Sequence, residues 1–203
     1  WATAPSAGLR IPILMYHRIA PGGPPSRRRW RVTPEAFDAQ MRTLGRLGYQ
    51  SITLAEWQRA VDTHRPIPDR PVILTFDDGY VDLAEYAWPI LRQHGLRALT
   101  LVVTGSVGRW NTWDPGGDAE PLLDWPELRR LRDEGMEFGA HSVSHRRMTS
   151  LSPADSFDPN TYQPRLDARA KLGHVELMGK KLGADSLNLY MRRKGDANWT
   201  LIL

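Results

Sequence analysis

The sequence contains no cysteine. Thiol catalysis, disulfide bonds and cysteine-ligated zinc sites are therefore excluded, although this absence fits any cellular compartment. No apolar run approaches the roughly 18 residues that a membrane-spanning helix needs, so we expect no membrane span in this chain. The chain also lacks an initial methionine and begins with Trp1, so we expect a processed form or a fragment, from which a signal peptide or anchor could have been removed.

The composition is that of one globular domain with a substantial core. Of its 203 residues, 41% are hydrophobic and 25% are charged. The net charge of +4 is local, because the stretch from Arg165 to the end holds eight Lys/Arg against four Asp/Glu. The dense basic cluster Arg27-Arg28-Arg29 lies in a Pro/Gly-rich segment, where a solvated loop is favoured over contact with an anionic polymer. No basic stripe with interleaved aromatics is present, so nucleic acid is not expected as a partner.

Strand-like and helix-like segments alternate along the first 140 residues. Short apolar runs predict strands at 11–16, 71–76, 97–103 and 136–140, and helical spacing or capping signals predict helices after Thr33 and Thr53 and over 83–94 and 124–134. This alternation predicts an α/β fold with a largely parallel sheet.

Two polar motifs follow predicted strands. Thr75-Phe76-Asp77-Asp78-Gly79 ends one apolar run, and His141-Ser142-Val143-Ser144-His145 ends another. In parallel α/β folds the ligand site lies beyond the carboxyl ends of the strands, so both motifs should reach the same face. Taken alone, an Asp-Asp-Gly triplet is usually a turn and a His-x-x-x-His pair is usually a surface feature. Their joint occurrence after two buried-type strands favours a shared site.

The residue types in these motifs suit metal-assisted hydrolysis. Adjacent carboxylates at a strand end cannot point the same way, so one can ligate a metal while the other stays free as a base. His141 and His145 can converge on one ion if their segment is helical or tightly turned. Two imidazoles and a carboxylate suit zinc or another first-row divalent ion better than magnesium or calcium.

Other candidates have ordinary structural explanations. His17 follows the first predicted strand and could line the same face, but a packed or solvent-exposed position is favoured. His64 and His94 are predicted at helix ends. Loop residues are expected to have turn roles, with substrate contact as the alternative; they are Asn111, Trp113 and Asp114.

The chain resembles the polysaccharide deacetylases, the NodB-homology carbohydrate esterases. The two motifs resemble the first two signatures of that family, and Ile13-Leu14-Met15-Tyr16-His17 resembles the N-terminal Met-Tyr-His segment of one subtype. The resemblance covers residues 10–153, which we expect to be the N-terminal part of a deacetylase domain. It implies a distorted (β/α) barrel, incomplete at the C-terminus, and a location outside the cell or in its envelope.

The resemblance also implies residue roles. Asp77 would be the general base, and the metal ligands would be Asp78, His141 and His145. The metal would be zinc, with cobalt or nickel as alternatives, and the partner would be an acetylated amino-sugar polymer. The reaction would be hydrolytic removal of its acetyl groups, with the metal stabilising the oxyanion.

Residues 154–203 do not match the family and form an atypical basic tail of unknown role. The later family signatures, an Arg-x-Pro-Tyr segment, an Asp/Trp segment and a late Leu-x-His that supplies the general acid, are not recognisable. Leu172-Gly173-His174 matches the Leu-x-His pattern alone, but it lies too close in sequence to the second motif to be the family's last signature. We predict a weakly amphipathic basic helix over 166–182 and strand-like pieces over 187–203. The tail is diverged, truncated or translated in a shifted frame, and the last two accounts are favoured.

Three functions remain open at this point. The first is a metal-dependent polymer deacetylase, and the second is an inactive relative that binds metal or glycan without turnover. The third is an amidase that acts on a small molecule through the same metal site.

Overall fold

The structure, a computed structural model, describes residues 11–114 and 119–147, and beyond them the backbone of strands at 175–181, 187–193 and 200–201. Seven strands lie in the first two ranges: β1 (Ile13–Tyr16), β2 (Arg18–Ile19), β3 (Arg31–Val32), β4 (Gln50–Ser51), β5 (Pro71–Asp78), β6 (Leu99–Val102) and β7 (Glu137–Ala140). The helices there are α1 (Pro34–Arg46), α2 (Leu54–Thr63), α3 (Trp88–Gln93) and α4 (Trp125–Asp133). In addition, 3-10 turns span Pro25–Trp30 and Thr104–Ser106.

A parallel sheet positions the two motifs. Its strand order is β1-β5-β6-β7, and β4 also pairs with β5. All eight residues of β5 are buried, as expected for a strand covered on both faces. The predicted α/β fold with a largely parallel sheet is therefore confirmed.

Local capping signals explain where the helices begin. Thr33 caps α1 by accepting a hydrogen bond from the Ala36 N–H, and Pro34 occupies the first helical position. Helices α2 and α4 each begin with a capping box, in which an N-cap side chain and a glutamate three residues later satisfy each other's backbone amides. The predicted strands at 97–103 and 136–140 are shorter in the structure, as β6 and β7.

Helix α3 begins irregularly. The predicted helix over 83–94 is present, but its first part, Leu83–Ala87, is a π-helical turn before the regular helix from Trp88. His94 is the C-cap of α3, and His64 is the C-cap of α2, where its backbone is left-handed. Both predicted helix-end positions are therefore confirmed. Side chains from the helices and β5 form one core; its fully buried members include Phe37, Met41, Leu74, Phe76, Leu83, Leu91, Leu128 and Leu131.

The tail differs in part from its predicted structure. Strand β8 (Val175–Lys181) pairs antiparallel with β9 (Leu187–Arg193), which pairs with β10 (Thr200–Leu201). The helix predicted over 166–182 is therefore wrong for 175–181, because seven-residue pairing with β9 overrides a weak helical pattern. The strand prediction over 187–203 is confirmed for β9 and β10, while 166–174, with His174, lies outside the described residues. Within the part of the chain that the structure describes, no helix has the length and apolarity to cross a bilayer.

Candidate active site

The end of β5 carries the two carboxylates. Asp77 and Asp78 are both buried, and Asp78 has a left-handed backbone with φ 75°. Gly79 follows with φ 78°, and a Cβ at that position would lie 2.9 Å from Val102 Cγ1. Glycine is therefore required here both by the backbone conformation and by the close approach of β6.

The end of β7 carries the two imidazoles on a tight turn. The His141 N–H donates to the Val102 carbonyl at 2.7 Å, which extends the sheet by one residue. The backbone then turns through Ser142 (φ 58°), and the His145 N–H donates to Ser142 Oγ at 2.9 Å. Hydrogen bonds from the backbone N–H groups of Thr104 and Gly105 to carbonyls of the turn hold it against the segment after β6. The motif is turned and not helical, which is one of the two conformations that the sequence left open.

The structure brings Asp78, His141 and His145 together. One ligand atom from each lies within 4.8 Å of the others. Asp78 Oδ1 is 3.1 Å from His145 Nε2 and 3.5 Å from His141 Nε2. That oxygen is nevertheless buried without a hydrogen-bond partner in the described residues. Three ligand atoms that converge without bonding one another, one of them an orphaned carboxylate oxygen, fit a divalent cation between them.

Asp77 lies beside this group in a different environment. Burial raises the pKa of its carboxyl, and the charges of His141 and His17 oppose that shift. Burial also lowers the pKa of His141, which favours the neutral imidazole that a metal ion requires. Asp77 is therefore a partly desolvated carboxylate next to the candidate metal ligands.

His17 has the packed position that the sequence favoured, and it also lies near the candidate site, which was the alternative. Strand β1 pairs with β5 so that Tyr16 lies opposite Phe76, and His17 follows at the level of Asp77. Its half-buried ring lies 4.7 Å from that of Trp30, and its charge acts on both Asp77 and His141. The available signal was its place one residue after a predicted strand, the same place that marked the other motifs.

The loop after β6 also reaches the site. Asn111 is buried, and its Oδ1 accepts a 2.7 Å hydrogen bond from the Glu120 N–H, so it has the predicted turn role. Asp114 pairs with Arg27 at 3.1 Å. The ring of Trp113 stacks on His145 with centroids 4.5 Å apart. Of these three loop residues, Trp113 is the one with a recorded contact to a candidate metal ligand.

The prediction of a solvated basic cluster is wrong for Arg27. Arg28 and Arg29 are exposed, but Arg27 is only 7% exposed. Asp114 supplies the counter-charge that allows this burial.

A second buried arginine was not identified from the sequence. Arg18 donates a hydrogen bond to Asp82 through Nε. Its two terminal nitrogens contact the Glu120 carboxylate, at 2.9 Å and 3.2 Å. Its guanidinium also lies 4.5 Å from the centre of the Tyr80 ring. This network joins β2 to the turn after β5 and to the loop before α4, and so links the segment that follows the Asp-Asp-Gly turn to two other parts of the chain.

Comparison with known proteins identifies a consistent set of relatives. Residues 64–163 match the family model described as polysaccharide deacetylase. The solved deacetylase PplD of Streptococcus pyogenes is 30% identical with a TM-score of 0.57, over 74% of this chain and 67% of that one. IcaB from Ammonifex degensii is 25% identical with a TM-score of 0.56, over 66% and 53%.

Curated relatives are longer than this chain. YxkH of Bacillus subtilis, assigned to the polysaccharide deacetylases, is 28% identical over 71% of this chain and 46% of its own length. The poly-beta-1,6-N-acetyl-D-glucosamine N-deacetylase of Escherichia coli K12 is 29% identical over 55% of this chain and 17% of its own length. This chain therefore spans less than half of either relative.

Proposed function

Because this chain belongs to the polysaccharide deacetylase family, we propose that it is a metal-dependent hydrolase that removes N-acetyl groups from an amino-sugar polymer. The observation that carries the proposal is the convergence of Asp78, His141 and His145 beside the buried Asp77. The proposal includes a location in the cell envelope or outside the cell, where such polymers lie.

The metal would be held by Asp78, His141 and His145, with zinc favoured by two imidazoles and one carboxylate. When bound there, a divalent cation supplies Lewis-acid activation of water and of the acetyl carbonyl. The orphaned Asp78 Oδ1 supports this assignment, because a buried carboxylate oxygen without a partner is costly.

Asp77 is the proposed general base. Its carboxylate receives a proton from the water that attacks the acetyl carbon, and its partial desolvation makes it a better proton acceptor than an exposed aspartate. A divalent cation held by the neighbouring ligands would favour the ionised form of Asp77, because an opposite charge nearby lowers the pKa of a carboxyl.

His17 is the proposed proton donor among the described residues. Hydrolysis breaks the bond between the acetyl carbon and the sugar nitrogen, and that nitrogen must gain a proton to leave as an amine. His17 follows β1, whose last residue, Tyr16, pairs with Phe76 next to Asp77, and it is half-buried, so part of its surface remains accessible. His174, in the Leu-x-His pattern of the tail, lies outside the described residues and is the competing donor.

Acetate release from N-acetylglucosamine oligomers tests the proposal. We expect release by the purified chain loaded with zinc or cobalt, and none after chelation and dialysis. Asp77→Asn should lower the rate by about 10²- to 10⁴-fold while metal binding is retained. Release that is insensitive to metal yet abolished by Asp77→Asn would contradict the mechanism.

Two further variants separate the competing proton donors. His17→Gln should lower the rate by at least about tenfold if His17 supplies the proton, while His174→Gln should then have little effect. The reverse pattern would assign the proton to His174 and leave the metal and base assignments intact.

The same assay separates the other two candidate functions. A chain that binds one cobalt ion and glycan but releases no acetate would be a binding protein without turnover. Hydrolysis of N-acetylglucosamine monomer at a rate equal to that of the oligomers would favour a small-molecule amidase.

A further inference from the structure

The ring of Trp113 lies against one of the candidate metal ligands. The Trp113 and His145 rings are stacked, with an interplanar angle of 29° and centroids 4.5 Å apart. His145 itself lies beyond the sheet, at the end of a turn, with a left-handed backbone of φ 53°. Its ring is therefore not oriented by a regular strand or helix.

A metal-binding imidazole usually donates its second ring N–H to a carboxylate, carbonyl or water, and that bond fixes the plane of the ring. Within residues 11–114 and 119–147, the only hydrogen bond of His145 is from its backbone N–H. The ring contacts in that part of the chain are with Asp78, His141 and Trp113. Asp78 and His141 are the other candidate ligands, so the stacked ring of Trp113 is a recorded contact that can orient the imidazole from outside the ligand set.

The segment that carries Trp113 is anchored by the side chains of its neighbours Asn111 and Asp114. Asn111 is buried and donates through Nδ2 to Tyr80 Oη at 3.3 Å and to Asp114 Oδ2 at 3.1 Å. Asp114 in turn pairs with the buried Arg27. These contacts anchor the four-residue segment that carries Trp113. The Trp113 ring itself also lies 6.4 Å, centroid to centroid, from the ring of Tyr80, so it has a second aromatic neighbour besides His145.

We infer that Trp113 is a positioning residue, whose stacked ring holds the His145 imidazole in the orientation needed to bind the metal. This inference rests on the metal site of the proposed function. Aromatic pairs of this kind and supporting groups around metal ligands have measurable effects, and we expect removal of the ring to weaken metal binding by roughly fivefold to tenfold.

The test is titration of the metal-free chain with cobalt(II), followed by the visible absorption of the bound ion and by competition with a chelator. Trp113→Ala should bind cobalt roughly fivefold to tenfold more weakly, as the energy of an aromatic pair implies, with an altered absorption band at saturation. Trp113→Phe keeps a stacking ring and should restore both the affinity and the band. Trp110→Ala is the matched control, because Trp110 is 57% exposed in the same loop and should bind cobalt normally.

The melting temperature of each metal-free variant separates positioning from general destabilisation. If Trp113→Ala lowers it, Trp113→Leu becomes the test variant, since leucine keeps apolar bulk without a stacking ring. Equal affinity of the ring-free variant and the wild type would overturn the inference alone, as would equal weakening by Trp113→Phe and Trp113→Leu. A wild-type chain that binds no cobalt would overturn the metal site and, with it, this inference.

Discussion

Replacing Arg18 with methionine should destabilise the fold in a way that depends on pH. Arg18 is buried between Asp82 and Glu120 and packs over Tyr80. Methionine keeps much of the apolar contact with the ring but leaves both carboxylates without their cation. Removing one partner of a buried ion pair costs about 3–5 kcal/mol, so we expect a loss of about 3 kcal/mol at pH 8.

The pH dependence follows from Asp82. Burial raises the pKa of its carboxyl to about 6 in the wild type, even though Arg18 opposes the shift. Because this folded pKa lies above the ordinary value of about 3.9, ionisation of Asp82 weakens folding as the pH rises through 6. At pH 5 most Asp82 is already neutral and needs no cation. The substitution should then cost about 1.5 kcal/mol, mainly through Glu120 and the Tyr80 contact.

Urea denaturation followed by tryptophan fluorescence at pH 8 and pH 5 measures both values. The double variant Arg18→Met/Asp82→Asn should be less destabilised at pH 8 than the sum of the single variants by at least about 1 kcal/mol. Equal losses for Arg18→Met at the two pH values, or strictly additive single variants, would refute the idea that an unpaired Asp82 carboxylate dominates the cost.

Three other substitutions test local features. Gly79→Ala should destabilise the fold by about 1–3 kcal/mol, because its Cβ would meet Val102 at a φ of 78°; Gly95→Ala, with φ 64° and no atom within 4 Å, should cost less in the same denaturation assay. Thr53→Ala should remove the capping box of α2 and cost about 1 kcal/mol, measured as a shift of the urea midpoint. Asp38→Asn should make the melting temperature fall less steeply as the pH is lowered, since the hydrogen bond with His94 lowers the pKa of Asp38 in the wild type. That stability is present above about pH 3.9 and is lost as the pH falls through the lower folded pKa; a wild-type melting temperature that does not fall faster than the variant's on acidification would contradict it.

The parts of the site that sequence reasoning found are those with strong local signals. A buried β-rich run followed by Asp77-Asp78-Gly79 places carboxylates at a strand end, and parallel topology brings His141 to the same edge. Both steps use only strand length, apolar pattern and the rule that parallel strands end together. Helix starts were equally accessible, because Thr33 and Thr53 carry their capping signals in adjacent residues.

The contacts that sequence reasoning missed depend on partners distant in the chain. Arg27 can be buried because it forms an ion pair with Asp114. Arg18 can be buried because it binds Glu120, which lies 102 residues further along the chain. Nothing local distinguishes these arginines from the exposed Arg28 and Arg29. The stacking of Trp113 on His145 is of the same kind, since it joins the loop after β6 to the turn after β7.

The register of the sheet explains why the candidate metal ligands meet. Asp78 pairs with Val102 on β6, and Val102 pairs with Ala140 on β7, so the three strands end at one level. Asp78 and His141 are thus separated by a whole strand, about 10 Å in backbone spacing, and their side chains must converge over Val102. The left-handed backbone at Asp78, the missing side chain at Gly79 and the turn after His141 all act at this gap. A slip of one residue in either pairing would reverse the faces and separate the ligands, so the site depends on β6 as much as on the strands that carry its residues.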